Sequence, residues 1–292
     1  MLAEQLAIPT EPDLCQRWRT RAPTWRRRAE GGFNADLYRV VPLAERSAKR
    51  FVLTHHYSRS WPSVSLAYGL QRLDQPPTHP DDPEGGALVG VVALGVPMNE
   101  AVLTGVFPTL APYREALELS RLVLLDTEPS NAESWACSRV FGLAAQAGIR
   151  GVIAYADPVP RTRITAQGPQ QLTPGHVGHV YHAQDFSYLG RGRARRLTLL
   201  PDATVLQDRA ANKVRRGEPG AAGVIRRLRQ YGAPAPGPGE SGPYWLAKAL
   251  TAIGATTVRH PGNHRWARSI GPHRTRVHLG AAVLPRPERT AH

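Results

Sequence analysis

The chain is poor in cysteine. Cys15 and Cys137 are the only two among 292 residues. Two cysteines make a disulfide framework an unfavourable reading, and a reducing cytoplasm fits. No apolar run approaches the roughly 18 residues that a membrane-spanning helix needs, so no membrane partner is expected. The opening MLAEQLAIPTEPD has no basic start followed by an apolar core and does not read as a secretory signal. No internal repeat is visible. Acidic residues are outnumbered: 23 Asp and Glu stand against 37 Lys and Arg, a net charge of +14 with a sequence pI near 10.6. That balance is the electrostatic footprint of a nucleic-acid binder. Most of the cations are arginine, whose planar fork suits phosphate.

What is present is a globular composition, 41% hydrophobic, in a chain long enough for one large domain with an appendage. The basic residues cluster. Arg17, Arg19, Arg21, Arg26, Arg27 and Arg28 surround Trp18 and Trp25 in an N-terminal arm over residues 1–35, expected to be partly disordered. Three further clusters follow residue 190. They include Arg193 and Arg195, then Lys213, Arg215 and Arg216, then Arg259 to Arg276. They place the expected DNA contacts at Arg193 and Arg195 and in a basic C-terminal extension, residues 209–292. Gln75–Gly86 and Gly232–Pro243 have the Pro and Gly density of loops.

Between them, residues 36–208 alternate strand and helix patterns. Ala87–Gly95 is a continuous apolar run, which predicts a strand buried on both faces. Ala101–Val106 reads as a neighbouring strand, and Leu119–Asp126 and Arg150–Asp157 as two more. Ala132–Ala147 carries a helical stripe and ends at Gly148. Arg196–Leu200 and Ala203–Leu206 read as a hairpin. The expectation is an α/β (α+β) fold with a mixed central sheet.

Several residues could carry chemistry. Ser130 and Glu133 have capping-box spacing, so the following helix start could hold a pyrophosphate with Arg121, Ser130, Asn131 and Ser134 around it. An ordinary capped helix is the competing reading. The usual glycine-rich loop of coenzyme A-binding transferases is absent there. His56 and Tyr57 end a helical segment and could either ligate a metal or position a base. Asp157 closes a strand, where ligands gather in open sheets, although an Asp-Pro turn is common. Gly175-His176-Val177-Gly178-His179 allows close backbone approach, and Tyr181 follows it. Glu118 and Arg121 either face the site or form a strand-face ion pair. Cys137 reads as core. His260 and His264 have metal-like spacing but lack cysteine partners, so a zinc site is rejected. Asn263, His264 and Arg265 read as a DNA-contact or turn element.

Four segments together resemble the phage Mom family. They are Thr54-His55-His56-Tyr57-Ser58-Arg59; Glu118 to Leu122 with Ser130 to Ser134; Tyr155 to Asp157 with Gly175 to Ala183 and Tyr188 to Gly190; and Gly262 to Trp266. The resemblance implies a GNAT-like acyltransferase fold and transfer to adenine N6 in double-stranded DNA, giving N6-carbamoylmethyladenine that resists restriction. It implies acetyl-CoA as donor and an iron ion, Fe(II), with His56, Tyr57, Asp157 and Tyr181 as both catalytic residues and metal ligands. The alternative is a conventional GNAT N-acetyltransferase acting on a small molecule, a protein or a modified base.

Overall fold

The computed structural model describes residues 14–19, 22–27, 33–78, 85–129, 131–165, 168–173 and 175–287. The chain divides into two compact units. The first takes residues 1–158, 175–191 and 263–292; the second takes 159–174 and 192–262. The chain thus leaves the first unit twice and returns twice. These boundaries cut the chain at other places than residues 35/36 and 208/209.

The first unit begins with a hairpin, β1 (Leu14–Arg19) paired antiparallel with β2 (Ala22–Arg27). This hairpin lies within the basic arm expected over residues 1–35; residues 1–13 lie outside the described residues. β3 (Tyr38–Pro42), α1 (Glu45–His55), β4 (Val64–Arg72), β5 (Ala87–Gly95), α2 (Ala101–Thr104), β6 (Ala116–Leu124), α3 (Ala132–Gln146) and β7 (Gly151–Ala156) follow. The second unit starts with the β8 (Arg161–Thr165) and β9 (Gly168–Thr173) hairpin. α4 (His179–His182) and β10 (Ser187–Arg191) belong to the first unit again.

The first unit is built on a seven-stranded sheet in the order β10-β14-β7-β6-β5-β4-β3, with β14 spanning His264–Ser269. All neighbours are antiparallel except β6 and β7. β5 lies near the middle and is buried at every position, as a continuous apolar run demands. The side chains alternate across the sheet. Val92, Leu94, Leu117, Leu119, Val152 and Ala154 pack with Val140, Phe141 and Ala144 of α3. Val91 and Val123 pack with Ala48, Phe51 and Val52 of α1 on the other face. Ala116 and Ile153 meet Leu103 beside α2. α3 stops where expected: Gly148 adopts φ +92° and the Ile149 N–H reaches the Ala144 carbonyl at 2.9 Å.

One predicted strand is a helix. Ala101–Val106 forms the turn of α2 instead, because Asn99 Oδ1 accepts the Ala101 N–H at 2.9 Å and nucleates it.

The second unit pairs β11 (Arg195–Leu199) with β12 (Val205–Leu206), as the hairpin pattern predicted, and with β13 (Thr256–His260). Three helices fill the stretch between β12 and β13: α5 (Asp208–Arg216), α6 (Ala221–Gln230) and α7 (Gly242–Ala252). Their apolar faces meet at Leu206, Val214, Leu228, Trp245, Leu246 and Ala249. Tyr231 and Thr204 donate hydroxyl bonds to Asp202 at 2.8 and 2.6 Å, tying α6 to the hairpin turn. Among the described residues, no helix is long and apolar enough to cross a membrane.

Candidate active site at the splayed strands

β6 and β7 run parallel but pair over only three positions, Ala116–Gly151, Leu117–Val152 and Glu118–Ile153. Beyond Glu118, β6 continues to Leu124 and β7 to Ala156 without further pairing to each other. The central sheet therefore opens into a gap beyond Glu118. Backbone groups of a buried strand seek partners, so an extended chain carrying amides can complete such an edge.

α1 delivers its C-cap to this gap. The His56 N–H closes the helix on the Val52 carbonyl at 3.0 Å. His55 stays exposed beside Phe51, whereas His56 is buried. The His56 Nδ1 accepts the Ser58 N–H at 3.1 Å and lies 2.8 Å from the Ser58 hydroxyl. Its ring lies 4.1 Å from that of Tyr57, centroid to centroid. Burial, then the charges of Arg121 and His176, push the His56 pKa down to about 3. The imidazole is neutral at neutral pH.

Arg121 projects from β6 on the α1 face. Its Nε and Nη2 donate to the Ser60 carbonyl and hydroxyl at 2.9 and 2.7 Å, and Nη1 donates to the Ser120 carbonyl at 2.5 Å. It thereby clamps the segment after Tyr57 to the open part of β6. Tyr57, Glu118 and Tyr181 all bear electrostatically on Arg121, so these groups share one site. Burial raises the pKa of Glu118, opposed by Arg121. Glu118 and Arg121 are thus neighbours that both belong to the gap.

Asp157 ends the strand, and its carbonyl accepts the His176 N–H at 2.8 Å. The chain therefore comes back to its departure point after the excursion through Val159–Pro174. His176 is pushed down to about 4, by burial first, with His179 and His264 adding and Asp157 opposing. Gly178 adopts φ +92°, and a β-carbon there would lie 2.6 Å from the Tyr181 ring and 2.7 Å from Trp266 Nε1. Glycine is required by both conformation and space. It sets Tyr181, which is buried and donates its hydroxyl to the Tyr155 carbonyl at 3.2 Å. Burial pushes the Tyr181 phenol well above its ordinary value.

The pyrophosphate residues are placed less completely. Ser130 lies outside the described residues. The helix N-cap is Asn131, in the left-handed conformation at φ +73° and without a side-chain cap bond. Asn131 is exposed, and its carbonyl accepts the Ser134 hydroxyl at 3.0 Å. Arg121 is committed to Ser60 and Ser120 and stands in the gap instead of at the helix start.

The proposed iron ligands do not form a metal cage. Among the described residues, no group of three or more His, Cys, Asp or Glu could hold a metal ion. His56 Nδ1 is occupied by Ser58, and the Tyr181 phenol is held protonated against the Tyr155 carbonyl.

The nucleic-acid residues fall into two sets. Arg193, Arg195, Arg215 and Arg216 are exposed and Lys213 is half-buried, all on the second unit. Of the residues read as a DNA-contact or turn element, His264 and Arg265 enter the sheet in β14, and Asn263 lies immediately before it. His264 is buried, with Nδ1 2.8 Å from the Tyr188 hydroxyl, and Arg265 donates to the Leu189 carbonyl at 2.6 Å. Cys137 is buried, and burial raises its thiol pKa beyond nucleophilic use. His260 is buried in the second unit and accepts the Gly262 N–H on Nδ1.

Glu118 belongs to the site more firmly than its sequence context suggests. A lone glutamate in a strand pattern carries no signal of its own burial, which only the folded strand brings about.

No curated protein matches the chain. A tandem GNAT protein from the clavulanic acid biosynthesis pathway shares 11% identity over 80% of this chain and 99% of its own, with a TM-score of 0.39. NAA60 of Arabidopsis thaliana, in complex with a bisubstrate analogue, shares 13% identity over 57% of this chain and 92% of its own, with a TM-score of 0.32. Likenesses this distant carry no conclusion about activity. The Mom protein family model matches residues 37–226, about two thirds of the length. The chain belongs to the Mom protein family.

Proposed function

We propose that this protein is an acetyl-CoA-dependent transferase that modifies adenine in double-stranded DNA, leaving a carbamoylmethyl group on N6 and so masking restriction sites; a separate amine donor supplies the amide nitrogen as the thiol leaves, and a two-electron oxidant takes the two hydrogens lost when the methyl carbon joins N6. The observation that carries the reading is the convergence of His56, Tyr57, Glu118, Arg121 and Tyr181 on the gap between β6 and β7.

The open edge of β6 suits the amides of a pantetheine arm, which can add to it as a strand would. Tyr181 keeps its proton at neutral pH and can give it to a departing thiolate. Neutral His56, whose Nδ1 accepts from Ser58, carries its proton on Nε2 and can donate it to an acceptor nitrogen of the base, and Asp157 is tied to His176 through its carbonyl. Adenine N6 is paired inside a duplex, so the base must be extruded to reach this gap. The second unit supplies a partner for the duplex. It holds fourteen Arg and Lys against four Asp and Glu, a balance of +10 out of the chain's +14. The cytoplasm of a bacterial host is the setting that such a substrate requires.

The test is a pair of titrations on the purified protein. Acetyl-CoA is expected to bind at one saturable site, and a short duplex is expected to bind with affinity that falls steeply as salt rises. Saturable acetyl-CoA binding with no duplex binding would favour a conventional N-acetyltransferase. Absence of both would sink the reading.

A further inference from the structure

The outer side of α3 bears a second concavity, at the opposite end of that helix from its N-terminus. It encloses about 500 Å³ between the C-terminal half of α3, the end of β14 and the turn after it. That is within the roughly 300–1,000 Å³ range of small-ligand sites. Phe141, Gly142, Gln146, Arg268, Pro272 and Arg276 line it.

Two observations mark it as more than a surface dent. Gly142 is the sole glycine of α3, yet a β-carbon there would meet nothing within 4 Å. Packing does not demand a glycine, and mid-helix glycine weakens a helix relative to alanine. What the missing side chain provides is a bare floor. Second, two guanidinium groups line the same concavity. Arg268 lies 5.3 Å over the Phe141 ring and has only a 3.5 Å contact to Gln184 Oε1. Arg276 is exposed. Among the described residues, neither has a carboxylate within ion-pair distance. Asp185 bears on Arg268 as the nearest acidic influence, and Arg276 bears on it, more weakly, as a like charge. An anion between two such cations relieves their repulsion, and phosphate matches their donors.

We propose that this concavity binds a nucleoside phosphate, its phosphate bridging Arg268 and Arg276 and its flat ring lying on the floor left bare by Gly142. The source is either a free nucleotide or a nucleotide within a nucleic-acid strand. Nothing in the β6/β7 site requires it, so its failure leaves the transferase reading untouched.

Gly142→Leu fills the floor, its β-carbon meets nothing within 4 Å, and leucine favours the helix over glycine, so the variant should fold. Arg276→Gln removes an exposed cation, and Arg268→Gln serves as a third variant. Deoxyadenosine monophosphate and a short DNA duplex are titrated separately against each, with thermal unfolding and acetyl-CoA titration as controls for folding. A drop of about ten-fold or more in mononucleotide affinity, the scale of one charge-assisted contact, supports the proposal with a free nucleotide as ligand. The same drop confined to the duplex supports it with a strand as the source. Affinities for both probes within two-fold of wild type in folded Gly142→Leu and Arg276→Gln would overturn it.

Discussion

Mild acid should destabilise this protein more than its carboxylates require, and two imidazoles held neutral by their surroundings, His56 and His176, set the size of the effect. His56 is depressed to about 3 and His176 to about 4, in both cases chiefly by burial. An unfolded histidine titrates near 6.5. From about pH 6.5 down to about pH 4, the unfolded chain takes up two protons that the folded chain refuses. Because the folded values are depressed, this stability is complete above the unfolded pKa and is lost as the pH falls. Each refused proton costs ~1.4 kcal/mol per pH unit. At pH 5 that amounts to about 2 kcal/mol per imidazole and about 4 kcal/mol for the pair. This is a large share of a typical stability of roughly 5–15 kcal/mol. Glu118 opposes the trend, because its raised pKa favours the folded state as the pH drops. Urea unfolding followed by tryptophan fluorescence at pH 7.5, 6 and 5 reads the slope directly. The His56→Gln/His176→Asn double variant should lose most of that slope, whatever its stability at pH 7.5. A wild-type slope well below one proton, or the same slope in the double variant, would refute the assignment of both rings as held neutral.

Other consequences follow from the same geometry. Tyr181→Phe removes one hydroxyl bond to the Tyr155 carbonyl and should cost only about 1 kcal/mol in urea unfolding. Product formation should fall about 100-fold or more if the phenol is the proton donor, as measured by nucleoside chromatography. Gly178→Ala forces a side chain into φ +92° and against Tyr181 and Trp266, so a loss of about 2–5 kcal/mol is expected by the same unfolding assay. Arg215→Ser with Arg216→Ser should weaken duplex binding across sequences. It should also flatten the dependence of log affinity on log salt by about 0.9 for each phosphate no longer neutralised, as read by fluorescence anisotropy. An unchanged salt slope would remove α5 from the interface.

Much of the first unit is written in local pattern. The apolar run Ala87–Gly95 became β5, the stripe in Ala132–Ala147 became α3, and the buried stretch before Asp157 became β7. The pairing of His56 with Tyr57 at a helix end was also legible, because a polar pair after an amphipathic segment marks a C-terminus. The two-unit division was not. β11 closes on β13 across more than fifty intervening residues, and no local period reports such a contact. His264 misled for a related reason. It stands in a basic stretch that reads as surface, but pairing of β14 with β7 buries it against Tyr188. Likewise, nothing in the sequence shows that β6 and β7 part after three pairs, the feature on which the candidate site depends.

Mass spectrometry of nucleosides from plasmid DNA tests the adenine assignment most directly. DNA is taken from cells expressing the wild-type chain or Asp157→Ala, with soluble protein verified in both. The predicted result is a deoxyadenosine heavier by one carbamoylmethyl group with wild type, and unmodified deoxyadenosine with the variant. Unmodified DNA from cells holding soluble wild-type protein that binds acetyl-CoA would contradict it and point to an acceptor other than adenine.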